Sequence, residues 1–244
     1  MKMLVSNIQR FSLHDGPGFR STVFFMGCSL KCPWCCNPEN LTSDIKTYID
    51  NNGKETVNGK EYSIKELENE ILKDRAFFDE DGGVTYSGGE ALLYLKYAKP
   101  LLENLHKQKI HQCVETSLNV PVENLKNIIE YIDLFYVDLK IVDKIKFSQI
   151  LNGDIDLVKT NLELLKKNNK KFIIRVPLVK GYTLNQENLV EIKKLIDKFK
   201  PTDVEVFGVH NLGKSKYVNL NKEYKDFENI EEHIIEQVYQ YLIK

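Results

Sequence analysis

The sequence predicts an α/β fold in which parallel strands alternate with helices along one continuous chain. Three observations carry that reading. Six short apolar runs rich in Val, Ile, Phe and Tyr recur through the 244 residues, at 21–27, 83–88, 112–116, 134–140, 172–179 and 204–209. Such continuous runs suit strands covered on both faces. Amphipathic helical stretches separate most of them, which requires parallel pairing through right-handed crossovers. Third, no repeat, low-complexity tract or Pro/Gly/Ser linker divides the chain, and 42% apolar content is enough for one sizeable core.

The elements follow in order. After the first strand, STVFFMG, the stretch 43–63 breaks the rhythm with Asn-Gly steps at 52–53 and 58–59 and reads as a small hairpin insertion. A helix over 63–78 opens with a capping box, Ser63 and Glu66, and places Ile64, Leu67, Ile71 and Leu72 on one face. Further helices are predicted at 93–107, 121–132, 155–168 and 185–199. Pro121 suits a first turn, and Pro201 marks a chain that has left its helix. A last helix over 230–243 carries Ile230, Ile234, Ile235, Val238 and Leu242. Six strand–helix units build either a doubly wound sheet or a partial barrel, and periodicity does not choose between them.

Charge and composition exclude several classes. A formal net charge of −1 sets up no global field for nucleic acid or acidic membrane. The start, MKMLVSNIQRFSLHDG, has no apolar core or cleavage site of a signal peptide, and no run approaches the roughly 18 apolar residues of a membrane span. A cytoplasmic protein is expected. The five histidines show no ligand spacing, and no P-loop, GxGxxG or Ser/His/Asp set is visible. The lysine pairs at 166–167, 170–171 and 193–194 read as solvated helix surface.

Chemistry concentrates in GCSLKCPWCCNPEN, residues 27–40, which holds four of the five cysteines. The fifth, Cys113, sits in a strand and reads as a buried small hydrophobe. Five cysteines are too few and too uneven for a secreted disulfide framework. Cys28, Cys32 and Cys35 form CxxxCxxC, with an alternative register through Cys36. A structural zinc wants two separated ligand pairs, and no second CxxC or HxxxH exists. Three thiolates in one loop suit a [4Fe–4S] cluster with one iron open to a chelating substrate. Structural zinc and an incidental grouping are the alternatives that spacing leaves.

This loop resembles the CxxxCxΦC loop (Φ aromatic) of the radical S-adenosylmethionine (SAM) superfamily, and more narrowly that of glycyl-radical-enzyme activating enzymes. The resemblance extends over nearly the whole chain. DGPGFR (15–20), SGGEALL (87–93), FYVDLK (135–140), IRVPLVKGYT (174–183) and HNLGKSKY (210–217) match further family motifs in order. It implies a single radical SAM core over 1–244, folded as a partial (β/α)6 TIM-like barrel with outer helices and the cysteine-free insertion at about 43–63. It also implies the ligand register. Trp34 takes the aromatic place, able to lie against adenine, so Cys28, Cys32 and Cys35 are the cluster ligands. Cys36, where the family commonly has His, is expected to contact SAM through its backbone without ligating.

The other motifs are read by the same likeness. Gly88 and Gly89 let backbone approach the ligand, and Glu90 offers an acceptor for the SAM ammonium. Asp138, Leu139 and Lys140 stand where a strand ends, the edge at which ligands gather in parallel α/β folds. In the pyruvate formate-lyase type, that Asp and an Asp-Thr pair hold a monovalent cation. Here the pair is Glu115-Thr116, and Ser117-Leu118 departs from the family's Asn-Gly, so either a cation or SAM itself is the expected partner of Glu115. Arg175 lies among Ile, Val and Leu and needs a carboxylate or ligand partner; the family suggests SAM. His210 matches a SAM-contacting histidine. Lys214 and Lys216 are expected to be solvated or partner-facing.

The implied activity is reductive cleavage of SAM and hydrogen abstraction from a glycine of a partner glycyl radical enzyme, with flavodoxin or ferredoxin as electron donor. DGPGFR is a candidate wall of the channel for the partner's loop. Many relatives carry eight more cysteines in the insertion; their absence favours the pyruvate formate-lyase activase type. Alternatives are a ribonucleotide reductase activase, a 7-carboxy-7-deazaguanine synthase or a zinc-stabilised interaction module.

Overall fold

The computed structural model describes residues 2–49 and 53–244. Ten strands occur among them: β1 (Met3–Ser12), β2 (Arg20–Phe25), β3 (Thr47–Ile49), β4 (Glu55–Val57), β5 (Lys60–Tyr62), β6 (Gly83–Gly88), β7 (His111–Thr116), β8 (Leu134–Asp138), β9 (Lys171–Leu178) and β10 (Asp203–Gly208). Eight form one sheet in the order β10-β9-β8-β7-β6-β2-β1-β5. The six strands from β2 to β10 in that row are parallel neighbours in sequence order. They are the six predicted runs. A doubly wound sheet would reverse its strand order at a switch point; this row never does, which resolves the choice in favour of the partial barrel.

Two features lie outside the prediction. β1 pairs antiparallel with β2, and the short β5 adds antiparallel to β1. The insertion does contain a hairpin, β3 with β4, and its first turn step, Asn52-Gly53, begins outside the described residues. The predicted 93–107 helix is two, Leu92–Leu95 and Lys99–Lys107, because Pro100 sits in the first turn of the second and cannot continue the first. The capping box is present: the Ser63 hydroxyl accepts from Glu66 N–H at 3.2 Å, and Glu66 accepts from Ser63 N–H at 2.7 Å. Helices Lys144–Leu151 and Lys214–Asn219 had no predicted counterpart.

Helices cover the strands through residues such as Leu67, Ile71, Leu101, Leu105, Leu162 and Ile192, all buried against strand residues including Val84, Val114, Val137 and Ile174. Cys113 is fully buried, as expected. Parallel alignment brings the C-terminal ends of all six strands to one edge of the sheet, and the loop 26–46 folds across that edge.

Candidate functional site

A cavity of about 410 Å³ opens at that edge. Strand ends line it: Phe24 of β2, Ser87 and Gly88 of β6, Glu115 and Thr116 of β7, Asp138 of β8, Arg175 and Pro177 of β9, and Phe207 and Gly208 of β10. The cysteine loop contributes Cys28, Cys32, Trp34, Cys35 and Cys36, and Gly89, Lys140 and His210 complete the set predicted to gather here. Glu90 and Leu139 stand behind the wall instead. Glu90 is fully buried, accepting from the Thr116 hydroxyl at 2.6 Å, Ser117 N–H at 3.0 Å, the Ser117 hydroxyl at 2.7 Å and Leu92 N–H at 3.3 Å. Both oxygens are taken up inside the protein, so the acceptor role expected for this side chain is exercised toward the β7 corner.

The polar wall is one connected network. Arg175 donates from Nε to Asp138 Oδ1 at 2.7 Å and from Nη1 to Glu115 Oε1 at 2.5 Å. Lys140 Nζ donates to the other Asp138 oxygen at 3.0 Å, and the Ser87 hydroxyl donates to Glu115 Oε2. Tyr136 lies under the guanidinium, 5.3 Å from ring centroid to Cζ. The partner that a strand-bound Arg requires is therefore a pair of carboxylates, one from each of the two preceding strands. Burial pushes Asp138 up, but Arg175 and then Lys140 outweigh it and hold the carboxyl below its ordinary range. Burial likewise opposes the charge on Arg175, yet Asp138 and Glu115 together raise it. Lys140 is raised against burial by Asp138 first, with Cys32 and Cys28 adding to it.

The cysteine loop lines the same cavity. Cys28, Cys32 and Cys35 are half-buried, Cys36 is exposed, and none is in a disulfide. Burial raises the thiols, Cys28 to about 12, so protons would occupy these sulfurs at neutral pH without a strongly positive partner. Iron is such a partner, because metal binding displaces thiol protons. Among the described residues no three His, Cys, Asp or Glu gather as ligands of one ion do. Thiols spread along one wall suit a cluster that offers each a separate iron. The donor set therefore fits.

Phe24 and Leu41 line the cavity with no role expected of them, and Ser87, Ser117 and Asn37, quoted only within motifs, join them there. Asp15 is the only residue of DGPGFR on the cavity, accepting from the hydroxyls of Ser12 at 2.5 Å and Thr22 at 2.6 Å. Arg20 turns away. It is 1% exposed and its Nη1 donates to Cys113 Sγ at 3.2 Å, so the whole motif is not the channel wall that was expected. Lys216, 43% exposed along its side chain, also reaches Asn37 and Glu39. Lys214 pairs with Asp226 at 3.0 Å.

Gly89 shows why the strand-end glycines are required. A Cβ there would lie 2.1 Å from the Gly27 carbonyl and 2.6 Å from that of Asn40. Backbone of the cysteine loop, as well as any ligand, needs the space. Gly89→Ala is expected to destabilise the fold by about 1–3 kcal/mol, the usual cost of overpacking. An unchanged Tm by calorimetry would show that the loop can yield.

The Radical SAM superfamily profile matches residues 22–199. The chain is 33% identical over 274 aligned positions to the trans-4-hydroxy-L-proline dehydratase activating enzyme of Clostridioides difficile, covering 92% of this chain and 90% of that protein. It is 32% identical over 237 positions to the pyruvate formate-lyase 2-activating enzyme of Escherichia coli K12, covering 89% and 81%. The fold superposes on a domain of a pyruvate-formate lyase-activating enzyme from Bacteroides vulgatus with a TM-score of 0.55 at 22% identity, covering 66% of this chain and 93% of that one.

Proposed function

The chain belongs to the radical SAM superfamily, and on that premise we propose that it is a glycyl-radical-enzyme activating enzyme. When bound, a [4Fe–4S] cluster supplies the electron that cleaves SAM, and the resulting 5′-deoxyadenosyl radical takes a hydrogen from a glycine of the partner enzyme. The protein contributes geometry, charge and exclusion of water. Cys28, Cys32 and Cys35 are the ligands that would hold the cluster, with Lys140 offsetting their negative charge from across the cavity.

Arg175 is held rigidly by Asp138 and Glu115, so its guanidinium is a preorganised donor that needs no rearrangement to receive the SAM carboxylate. Gly88 and Gly89 bring backbone to the cavity, and the backbone of Cys36 lies opposite. Trp34 offers an aromatic wall for adenine. His210 stands where the cavity meets β10. Glu90 and Leu139 support this set from behind: Glu90 locks Thr116 and Ser117, and Leu139 N–H donates to the Arg175 carbonyl at 2.9 Å.

The finer points belong to the same reading. The charges of Glu115, Asp138, Arg175 and Lys140 cancel, so a monovalent cation at Glu115, Thr116 and Asp138 would gain its role only when SAM adds its carboxylate. The electron donor is a flavodoxin or ferredoxin, and the working compartment is the cytoplasm, which keeps five free thiols reduced. No helix among the described residues is long and apolar enough to cross a membrane. The partner is a glycyl radical enzyme. The insertion lacks the extra cysteines that mark many dehydratase activases, which favours a pyruvate formate-lyase-like partner, although relatives of both kinds match this chain almost equally.

One observation carries the proposal: the cysteine loop and a carboxylate-clamped Arg line the same cavity at the C-terminal edge of the sheet. Anaerobic reconstitution is expected to load about four irons and four sulfides per chain. Adding SAM, a reductant and the partner enzyme should then yield a doublet glycyl-radical EPR signal. One zinc per chain, or no radical, overturns the reading.

A further inference from the structure

HNLGKSKY, residues 210–217, enters the proposed function only through His210. The rest of the segment does something specific. Tyr217 donates its hydroxyl to the Cys35 carbonyl at 2.9 Å. Lys216 Nζ donates to Asn37 Oδ1 at 2.6 Å and to Glu39 Oε1 at 2.7 Å. Lys222, just beyond, donates to the Pro38 carbonyl at 3.2 Å. Gly213 lies directly on the next residue of the loop: a Cβ there would sit 2.9 Å from the Cys36 carbonyl oxygen and 3.0 Å from Cys36 Cα. Among the described residues, every hydrogen bond from 35–39 to another element comes from this strap or from Lys222.

The strap is itself braced. Asn211 Nδ2 donates to the Phe227 carbonyl at 2.7 Å, and Asn211 Oδ1 accepts from Phe227 N–H at 2.9 Å and from the Tyr224 hydroxyl at 2.5 Å. The Tyr224 ring meets Tyr217 edge-on at 5.1 Å, and Lys214 pairs with Asp226. A braced segment that grips one peptide unit fixes the direction of the side chains on either side of it. That unit is the Cys35–Cys36 peptide.

We propose that the strap decides which of the two adjacent thiols faces the cluster, with Tyr217, Lys216 and Gly213 as positioning residues that turn Cys35 inward and hold Cys36 out. Vicinal cysteines present a register problem, since a backbone shift of one residue, about 3.8 Å, would put one sulfur in the place of the other. Pinning the Cys35 carbonyl and pressing on the Cys36 backbone blocks that shift. The half-buried Cys35 and exposed Cys36 are the expected outcome. This inference rests on the activating-enzyme reading, because it presumes a cluster on Cys28, Cys32 and Cys35.

Thiol footprinting tests it. Anaerobically reconstituted protein is treated with iodoacetamide, and each cysteine is quantified by mass spectrometry alongside iron and sulfide. In the wild type, Cys36 is labelled and Cys28, Cys32 and Cys35 are protected. Tyr217→Phe removes one hydroxyl and keeps the ring against Tyr224; Lys216→Met keeps the aliphatic stem. In Tyr217→Phe Cys35 labelling is expected to rise about fivefold, the equilibrium factor for losing one ordinary hydrogen bond, and in Lys216→Met, which loses two bonds, at least as much, with Cys36 becoming partly protected in both. Adding Cys36→Ser to either variant removes the competitor and should restore Cys35 protection, which a merely unfolded loop would not do. An unchanged footprint in both variants overturns the strap while the cluster reading stands. A wild type that loads no iron and protects no thiol overturns the activating-enzyme reading itself.

Discussion

Cys35→Ala will fail to retain a reconstituted iron–sulfur cluster, whereas Cys36→Ala will retain it nearly in full. Iron, acid-labile sulfide and visible charge-transfer absorbance after anaerobic desalting measure both. The asymmetry follows from position, because the two thiols are chemically alike. Cys35 is half-buried on the cavity wall with its carbonyl fixed by Tyr217, while Cys36 is exposed and its backbone is backed by Gly213. With Cys35 gone, Cys36 could substitute only by shifting a stretch of backbone that Tyr217 and Gly213 hold in place. Burial raises both thiols, so iron must displace a firmly held proton at either one; that cost is common to the two and leaves position to set the asymmetry. The reverse pattern, with Cys36→Ala losing the cluster, would place the register one residue later and remove the basis for the strap.

Much of this arrangement is legible in the sequence, and the parts that are not have identifiable physical reasons. The six parallel strands are visible because strands covered on both faces are apolar without interruption, as in LFYVD and FIIRVPL. β1 escapes notice because it lies outside the parallel row, and its residues alternate between buried and more exposed positions. MLVSNIQRFS accordingly carries Ser, Asn, Gln and Arg among its apolar residues, a pattern easily read as loop. Lys144–Leu151 is hidden by its brevity.

In the site, residues whose chemistry conflicts with their neighbours are the readable ones. Arg175 inside FIIRVPL demands a carboxylate, and Asp138 and Glu115 supply two. Glu90 misleads because its partners, Thr116 and Ser117, lie on another strand end and local sequence does not show that both its oxygens are taken. Lys216 is legible only in part. Lysine is ordinarily a surface residue, and only the fold brings Asn37 and Glu39 to it across nearly the whole chain.

Arg175→Met is expected to weaken SAM binding by about tenfold or more without loss of iron, the effect of removing a hydrogen bond to a charged group. Iron should stay because the thiol wall does not include Arg175. Stability should fall as well. Glu115 and Asp138 would lose the guanidinium between them, and breaking a buried pair costs about 3–5 kcal/mol; the Arg175 side chain is only 16% exposed, so solvent offsets little of that. The two effects must be separated. Arg175→Lys restores one positive charge, but a single ammonium cannot reproduce the fork that reaches Asp138 through Nε and Glu115 through Nη1. It should therefore regain only part of the Tm and little of the SAM affinity. Glu115→Gln, which leaves the Asp138 bond in place, should lose less affinity than Arg175→Met. Equilibrium binding of SAM to the anaerobically reconstituted proteins, paired with calorimetry, distinguishes the outcomes. If Arg175→Met lowers Tm but binds SAM as the wild type does, Arg175 serves only to tie β7, β8 and β9 together, and the SAM carboxylate must find its donor elsewhere on the cavity wall.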